Sequence, residues 1–211
     1  SLIEQSADEV RYRAELARAF RDKAKVASRA NLRAESESAL KQSIELFEQL
    51  LLENNDSEAI RYELAMTLSS TEAFGVHQIF RANRANELSA ALLANSPDLP
   101  RYQALRAHTL ATLASHQQRT GRHDPAEKNL FDALRIYNSL TVQSPELRLY
   151  DTQRSQTLES IADLKLRKGE PEAAVEYLER AIRRLQPKIR QSDLSPVARM
   201  QMQRMRQKLA R

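Results

Sequence analysis

The chain of 211 residues has no cysteine, only three glycines and seven prolines, and 5% aromatic residues. The lack of cysteine excludes disulfides and cysteine-based zinc sites. Every apolar run is only a few residues long, which is too short to cross a membrane, and no signal peptide stands at the start. We expect a cytoplasmic protein. Because the chain begins at Ser1 rather than methionine, we also expect it to be a fragment of a larger protein, whose membrane segment or catalytic domain could lie outside it.

The residues that are abundant favour helices. Ala, Leu, Arg, Glu, Gln and Ser dominate, and apolar residues make up 41% of the chain. These residue types have good helix propensity, and no window shows the sustained period-2 alternation of a strand. The composition therefore predicts an all-α protein.

Positive charge is concentrated at the C-terminal end. The formal net charge is +5, yet ten Lys and Arg residues lie between Arg180 and Arg211 against one acid, Asp193. That end could meet nucleic acid, a membrane surface or an acidic partner, or it could solvate the outer face of a terminal helix. It has no aromatic residue for base stacking, which counts against nucleic acid.

A short block of sequence recurs along the chain at a spacing of about 48 residues. Its most regular position is alanine, with steps of 48, 49 and 48 residues between Ala17, Ala65, Ala114 and Ala162. The match involves more residues in the second half of the chain, where the same residue types are found again 48 positions later. These residues are Ser96-Pro97, Tyr102, Thr109-Leu110, Gly121, Ala126, Leu130 and Ala133. A helical period of this length predicts stacked helix pairs.

Apolar residues at helical spacing place about four helix pairs in one domain over residues 1–211. We expect repeat units at about 4–56, 57–99, 100–144 and 145–190, followed by a capping helix over 194–211. A generic helical bundle without stacking is the alternative.

Turn residues predict several helix ends. Gly121 suits a left-handed C-cap, Asp124 an N-cap and Pro125 the first helical turn, and Gly169-Glu170-Pro171 repeats the pattern. In the second unit, Asp56 or Ser57 can cap a helix over about 57–72, with a break at Gly75.

The first helix lacks such signals. It is predicted from about Glu4 to Ala34, and no glycine or proline stops it. It is therefore either long or broken near Ser28 to Asn31.

No residue pattern points to catalysis. The four histidines fit no metal motif, and the three glycines lie too far apart for a phosphate-binding loop. There is no Gly-x-Ser-x-Gly elbow and no cysteine nucleophile, and acids such as Glu176 lie at helix-surface spacing from cations such as Arg180. We expect no enzyme activity, no metal and no cofactor.

The third and fourth units resemble the tetratricopeptide repeat. The residues behind the resemblance are Leu113-Ala114, Gly121, Ala126, Leu130 and Ala133, and then Ile161-Ala162, Gly169, Ala174, Leu178 and Ala181. The period here is about 48 rather than 34 residues. The resemblance implies a right-handed solenoid of antiparallel helix pairs.

Long-period repeats of this kind are also similar to regulatory regions attached to bacterial protein kinases or sigma-factor regulators. Tyr102, Tyr150 and the run Gly121 to Glu127 carry that similarity. It implies a regulatory appendage.

The tetratricopeptide resemblance implies a partner-binding concave groove lined by the first helix of each pair. Ordinary solvated helix positions are the alternative for each of these residues. Carried over by position, the lining is Tyr62, Glu63, Met66, Ser69, His108, Thr112, Ser115, Arg119, Gln156, Glu159, Asp163 and Arg167.

These observations predict a non-enzymatic protein–protein interaction scaffold or regulatory module that binds a partner peptide or helix. Binding of nucleic acid or an acidic partner through the basic C-terminal region is the alternative. Self-association through Met200, Met202 and Met205 is a third expectation, because exposed apolar seams often mark interfaces.

Overall fold

The computed structural model describes residues 2–70 and 78–185, and within these ranges the chain forms eight α-helices and no strand. The all-α class predicted from composition is confirmed for these ranges. The helices are α1 (Leu2–Arg29), α2 (Arg33–Glu53), α3 (Glu58–Leu68), α4 (Gln78–Asn95), α5 (Pro100–Arg119), α6 (His123–Gln143), α7 (Arg148–Arg167) and α8 (Pro171–Leu185).

The chain divides into two compact units between Thr112 and Leu113, within α5. The single repeat domain and its four unit boundaries stay predictions, as does the right-handed path of the array. The break at Gly75, the capping helix over 194–211 and its methionine seam lie outside the described residues.

In the first unit, α1 and α2 pack closely because small residues face each other. Ser36 Oγ donates a hydrogen bond to the carbonyl oxygen of Ala24 at 2.9 Å, and Ser43 Oγ donates to that of Ala17 at 2.7 Å. Both serines and both alanines are buried. The pairing of 36 with 24 and of 43 with 17 shows that the two helices are antiparallel.

The core of the first unit continues through α3, α4 and the start of α5. It contains Phe47, Leu64, Ala65, Leu88 and Leu92, all buried in one apolar cluster. As predicted, Ser57 caps α3, and its hydroxyl accepts a hydrogen bond from the Ile60 N–H at 3.3 Å. Burial of this cluster is the main source of stability in the unit.

Tyr102 brings α5 into the first unit. Its ring is 1% exposed in the same cluster, and its hydroxyl donates to Glu58 Oε2 at 3.0 Å. The phenol therefore buries its apolar body while its polar tip reaches a partner on α3.

The second unit repeats the arrangement with alanines where α2 has serines. Ala126 and Ala133 of α6 and Ala174 and Ala181 of α8 are at most 1% exposed. Around them are buried larger residues of α6, α7 and α8: Leu130, Tyr137, Leu140, Leu158, Ile161, Leu164 and Leu178.

Within three of the helix pairs, α1–α2, α5–α6 and α7–α8, a tight turn joins the two helices. Each of these turns has one residue in the left-handed conformation. Gly121 and Gly169 have φ of 73° and 77°, which confirms their predicted role as left-handed caps. The corresponding turn between α1 and α2 has Asn31 at φ 58°. The helix α1 ends at Arg29 and does not continue to Ala34, which agrees with the predicted alternative of a break near Ser28 to Asn31. Asparagine tolerates the left-handed conformation at this break better than most side chains do.

Aligning the units on their left-handed turns places a different alanine of α1 at the repeat position from the one given by the 48-residue step. Ala114 and Ala162 each lie seven residues before a turn glycine, and Ala24 lies seven residues before Asn31. Ala17 keeps the 48-residue step along the chain, whereas Ala24 keeps the distance from the turn. Both are buried because they are two helical turns apart on one face of α1.

Three other predicted helix ends were wrong in detail. Asp124 lies inside the first turn of α6, and the N-cap is Arg122, which makes no side-chain cap hydrogen bond. The helix α3 ends at Leu68 instead of continuing to Glu72, and α7 begins at Arg148 rather than at Pro145.

Candidate functional site

Glu63 of α3, a predicted groove residue, is held by two arginines of α1. Its Oε1 accepts from Arg18 Nε at 3.0 Å, and its Oε2 accepts from Arg21 Nη1 at 2.7 Å. Arg21 also donates to Thr67 Oγ1 at 3.3 Å. The side chains of Glu63 and Arg21 are 18% and 14% exposed, so this ion pair links α1 to α3 in a partly shielded setting.

The other predicted residues of α3 differ in their exposure. Tyr62 is half-buried, and its ring lies 6.0 Å from that of Tyr102, centroid to centroid. Met66 is half-buried against the apolar cluster. Ser69 is fully buried, and its hydroxyl donates to the Met66 carbonyl oxygen at 3.1 Å.

Residues on α5 are divided between the two units. His108 and Thr112 are half-buried in the first unit, while Ser115 and Arg119 are exposed in the second. Arg119 Nη2 contacts Nδ1 of the neighbouring His116. Burial, and then the charge of Arg119, lowers the pKa of His116 below its ordinary value.

Residues on α7 form a stripe next to α5. Gln156 and Arg167 are exposed, Asp163 is half-buried, and Glu159 is buried. The two helices are joined where Gln118 Nε2 of α5 donates to the Ser160 carbonyl oxygen at 3.3 Å. The structure thus brings the predicted residues of α7 together and places them beside the second half of α5.

A second ionic cluster joins α6, α7 and α8. Glu127 accepts from Lys165 at 2.7 Å and from Lys168 at 2.6 Å, Lys165 also reaches Glu170 at 2.7 Å, and Lys168 reaches Asp124 at 3.2 Å. Hydrogen bonds from Lys165 and then Lys168 lower the pKa of Glu127. The same contacts, led by that with Glu127, raise the pKa of both lysines.

Sequence reasoning missed two clefts, one in each unit. A cleft of about 600 Å³ in the first unit lies among α2, α3 and α4. One of about 330 Å³ in the second lies among α6, α7 and α8. Arg84 and Arg180, each directly before a buried alanine, line the clefts. The same pattern at Arg81-Ala82 and Arg106-Ala107 lines neither cleft, so this pattern does not mark them in the sequence.

The described residues hold neither a metal-binding cluster nor a helix that could cross a membrane. Over 2–70 and 78–185, no group of three or more His, Cys, Asp or Glu residues could hold a metal ion. In the same ranges, no helix has the length and apolar character needed to cross a membrane.

No protein-family model matches the chain, and no curated protein matches it. Solved structures that are similar to this chain include the following two. MamA AMB-1 has a TM-score of 0.41 and 15% identity, covering 87% of this chain and 96% of that chain. A thermophilic tetratricopeptide repeat protein of Thermus thermophilus has a TM-score of 0.34 and 17% identity, covering 87% of this chain and 99% of that chain.

The chain's own repeat carries the assignment of its fold. Paired helices, left-handed turns seven residues after a buried alanine, and small residues between the helices recur along it. Over the described residues it is an all-α protein of repeated helix pairs, and its third and fourth units resemble the tetratricopeptide repeat.

Proposed function

We propose that the chain is a non-enzymatic protein-interaction scaffold that binds a peptide or helix of a partner protein. The observation that carries the proposal is the stripe on α7 beside α5. Gln156, Ser160, Asp163 and Arg167 lie at helical spacings of four, three and four residues, which put them on one face. Gln118 joins this face to α5, on which Ser115 lies one turn earlier.

This face suits binding because its residues combine donors and acceptors with exposure. Exposed Gln156 and Arg167 and half-buried Asp163 can exchange hydrogen bonds with a peptide backbone or with charged side chains. In the first unit, half-buried Tyr62, Met66, His108 and Thr112 offer a more apolar set of side chains. Ser69 and Glu159 are buried, so they present little of their side chains to a partner.

Selection from a random peptide library, followed by competition with variants, tests the proposal. We expect selected peptides to lose about tenfold or more in affinity for the Gln156→Ala, Arg167→Ala double variant, because a few residues usually carry most of the binding energy. The matched control changes two exposed residues of α6, Arg135→Ala and Gln143→Ala, and should leave affinity within about twofold, since interface residues outside hot spots are near neutral. Equal binding by both variants would contradict the proposed face.

We further propose that the scaffold is regulatory and linked to a bacterial kinase or sigma-factor regulator. The similarity of Tyr102, Tyr150 and residues 121–127 supports this link. Tyr102 and Tyr150 are 1% and 8% exposed, so they maintain the repeat and leave recognition to the exposed faces.

Binding through the basic C-terminal end is the competing function. Most of its cations lie beyond residue 185, outside the described residues. It predicts salt-steep binding of single or double strands that disappears when residues 188–211 are removed.

A further inference from the structure

The small cleft of the second unit has a strongly basic lining. Its walls and floor hold six residues, of which three are arginines and none is acidic: Leu134, Asn138, Arg154, Leu158, Arg180 and Arg183. At a volume of about 330 Å³, it can hold one or two side chains of another molecule. Three guanidinium groups around so small a space create a positive potential that favours an anion.

Arg154 of α7 is the innermost of these charges. The residue is only 6% exposed, so its charge acts in a setting from which most water is excluded. Since the electrostatic attraction between charges strengthens as water is excluded, a carboxylate entering this cleft gains more than it would on an open surface.

The two outer arginines are held only loosely by acids of their own helix. Arg180 is 3.9 Å from Glu176, and Arg183 is 3.4 Å from Glu179. All four side chains are about half exposed or more, and such surface pairs contribute little. Arg180 and Arg183 can therefore turn to an incoming carboxylate at small cost.

Arg180 lies against an aromatic ring at the edge of the cleft. Its guanidinium carbon lies 5.1 Å from the centroid of the Tyr177 ring, and Phe131 meets the same ring edge-on at 6.1 Å between centroids. Phe131 is still 39% exposed. An apolar surface thus borders the basic cleft, which suits a peptide that has both acidic and apolar side chains.

The cleft of the first unit shows that the repeat alone does not produce this charge. Glu48 lies in that lining together with Arg61 and Arg84, and Arg61 donates to the Asn55 carbonyl oxygen at 2.6 Å. Arg84 occupies the position of Arg180, directly before a buried alanine. The first lining thus has two arginines and one acid, against three arginines and no acid in the second, and the larger positive excess is a property of the second cleft.

We propose that the α6–α8 cleft binds the carboxylates of an acidic segment of a partner protein, at a site separate from the α5–α7 face. A glutamate or aspartate side chain enters between Arg180 and Arg183 and points toward Arg154. Guanidinium groups recognise carboxylates through paired hydrogen bonds. Apolar neighbours of the acid lie against Phe131.

The test uses fluorescence anisotropy of a labelled oligoglutamate peptide with the full chain, and oligoglutamine as the neutral probe. The Arg180→Gln, Arg183→Gln double variant should bind oligoglutamate at least about tenfold more weakly, since each charge-assisted hydrogen bond contributes strongly. Both changed residues are exposed, so folding should persist, and circular dichroism checks this.

Two controls locate the effect. Arg206→Gln with Lys208→Gln removes the same charge from the C-terminal end, and Arg84→Gln changes the equivalent position of the first cleft. Both should retain affinity within about twofold, because the proposed site lies in the second cleft. Attraction that depended only on total charge would instead be weakened equally by the Arg206, Lys208 change. An equal loss in the Arg206, Lys208 variant, equal binding of oligoglutamine, or no binding of oligoglutamate at low salt would overturn the proposal.

Discussion

The two units use different residues at the same positions between their helices. Counted from the left-handed turn, Ser36 of the first unit corresponds to Ala126 and Ala174 of the second, and Ser43 corresponds to Ala133 and Ala181. All six are at most 1% exposed. The comparison shows that the position requires a small side chain, whereas a hydroxyl is optional and is satisfied by a carbonyl of the facing helix when present.

Both units have an ion-pair cluster that links their helices, but the residues differ. In the first, two arginines of α1 share Glu63 of α3. In the second, Lys165 and Lys168, at the end of α7, share Glu127 of α6. Each arrangement puts one acid between two cations from another helix, over a separation of more than 35 residues in sequence.

The largest effect should come from adding volume at the shared small position. Ala133→Leu is expected to lower the free energy of unfolding by about 3 kcal/mol, because the added atoms force neighbouring side chains and α6 apart. Ala133→Ser, which copies Ser43, should cost only about 1 kcal/mol. Urea denaturation of both variants measures the difference, and similar losses would show that size does not govern the position.

A smaller effect is expected from the acid between two lysines. Because the folded protein lowers the pKa of Glu127, its carboxylate stabilises the fold fully above the ordinary pKa of 4.5 and loses that contribution as pH falls through the lowered value. Glu127→Gln should therefore cost about 2 kcal/mol at neutral pH. Near the acidic end of the titration the variant and the native chain should converge in stability.

Glu63→Gln supplies the matching change in the first unit. Its loss at neutral pH should be similar, about 2 kcal/mol, since Glu63 also accepts two charge-assisted hydrogen bonds. Thermal denaturation over a range of pH compares the two variants. A Glu127→Gln loss that is the same at every pH would show that the ion pairs are not its cause.

The smallest effect should come from removing a buried hydroxyl. Ser43→Ala makes the first unit like the second and removes one hydrogen bond to the Ala17 carbonyl oxygen. We expect a loss of about 1 kcal/mol in unfolding free energy. Chemical denaturation detects it, and an unchanged midpoint would mean that alanine and serine are equivalent there.

Much of the fold could be predicted because local residues mark its turns. Gly121, Gly169 and Pro171 indicate helix ends that the structure confirms. The break after α1 was harder because Asn31 is not a strong breaker, and because Ala17 and Ala24 lie on the same helical face and both fit the repeat. Local patterns could not show which of the two is aligned with the turn.

The candidate sites were less accessible to sequence reasoning. The groove residues stay a prediction, although Gln156, Asp163 and Arg167 do share a face. The pairing of Glu63 with Arg18 and Arg21 spans more than 40 residues, and no local pattern encodes it. The basic cleft needs three helices to converge, so its arginines looked like ordinary surface charges along the chain.

The left-handed turn has a consequence for how such a chain can diverge. Either glycine or asparagine serves at this turn, and either serine or alanine serves between the helices, so substitutions can change the residue types while the backbone path persists. The first unit illustrates this with Asn31, Ser36 and Ser43. Units of such a repeat are therefore recognised more reliably from the size of the side chain at a given distance from each turn than from identical residues.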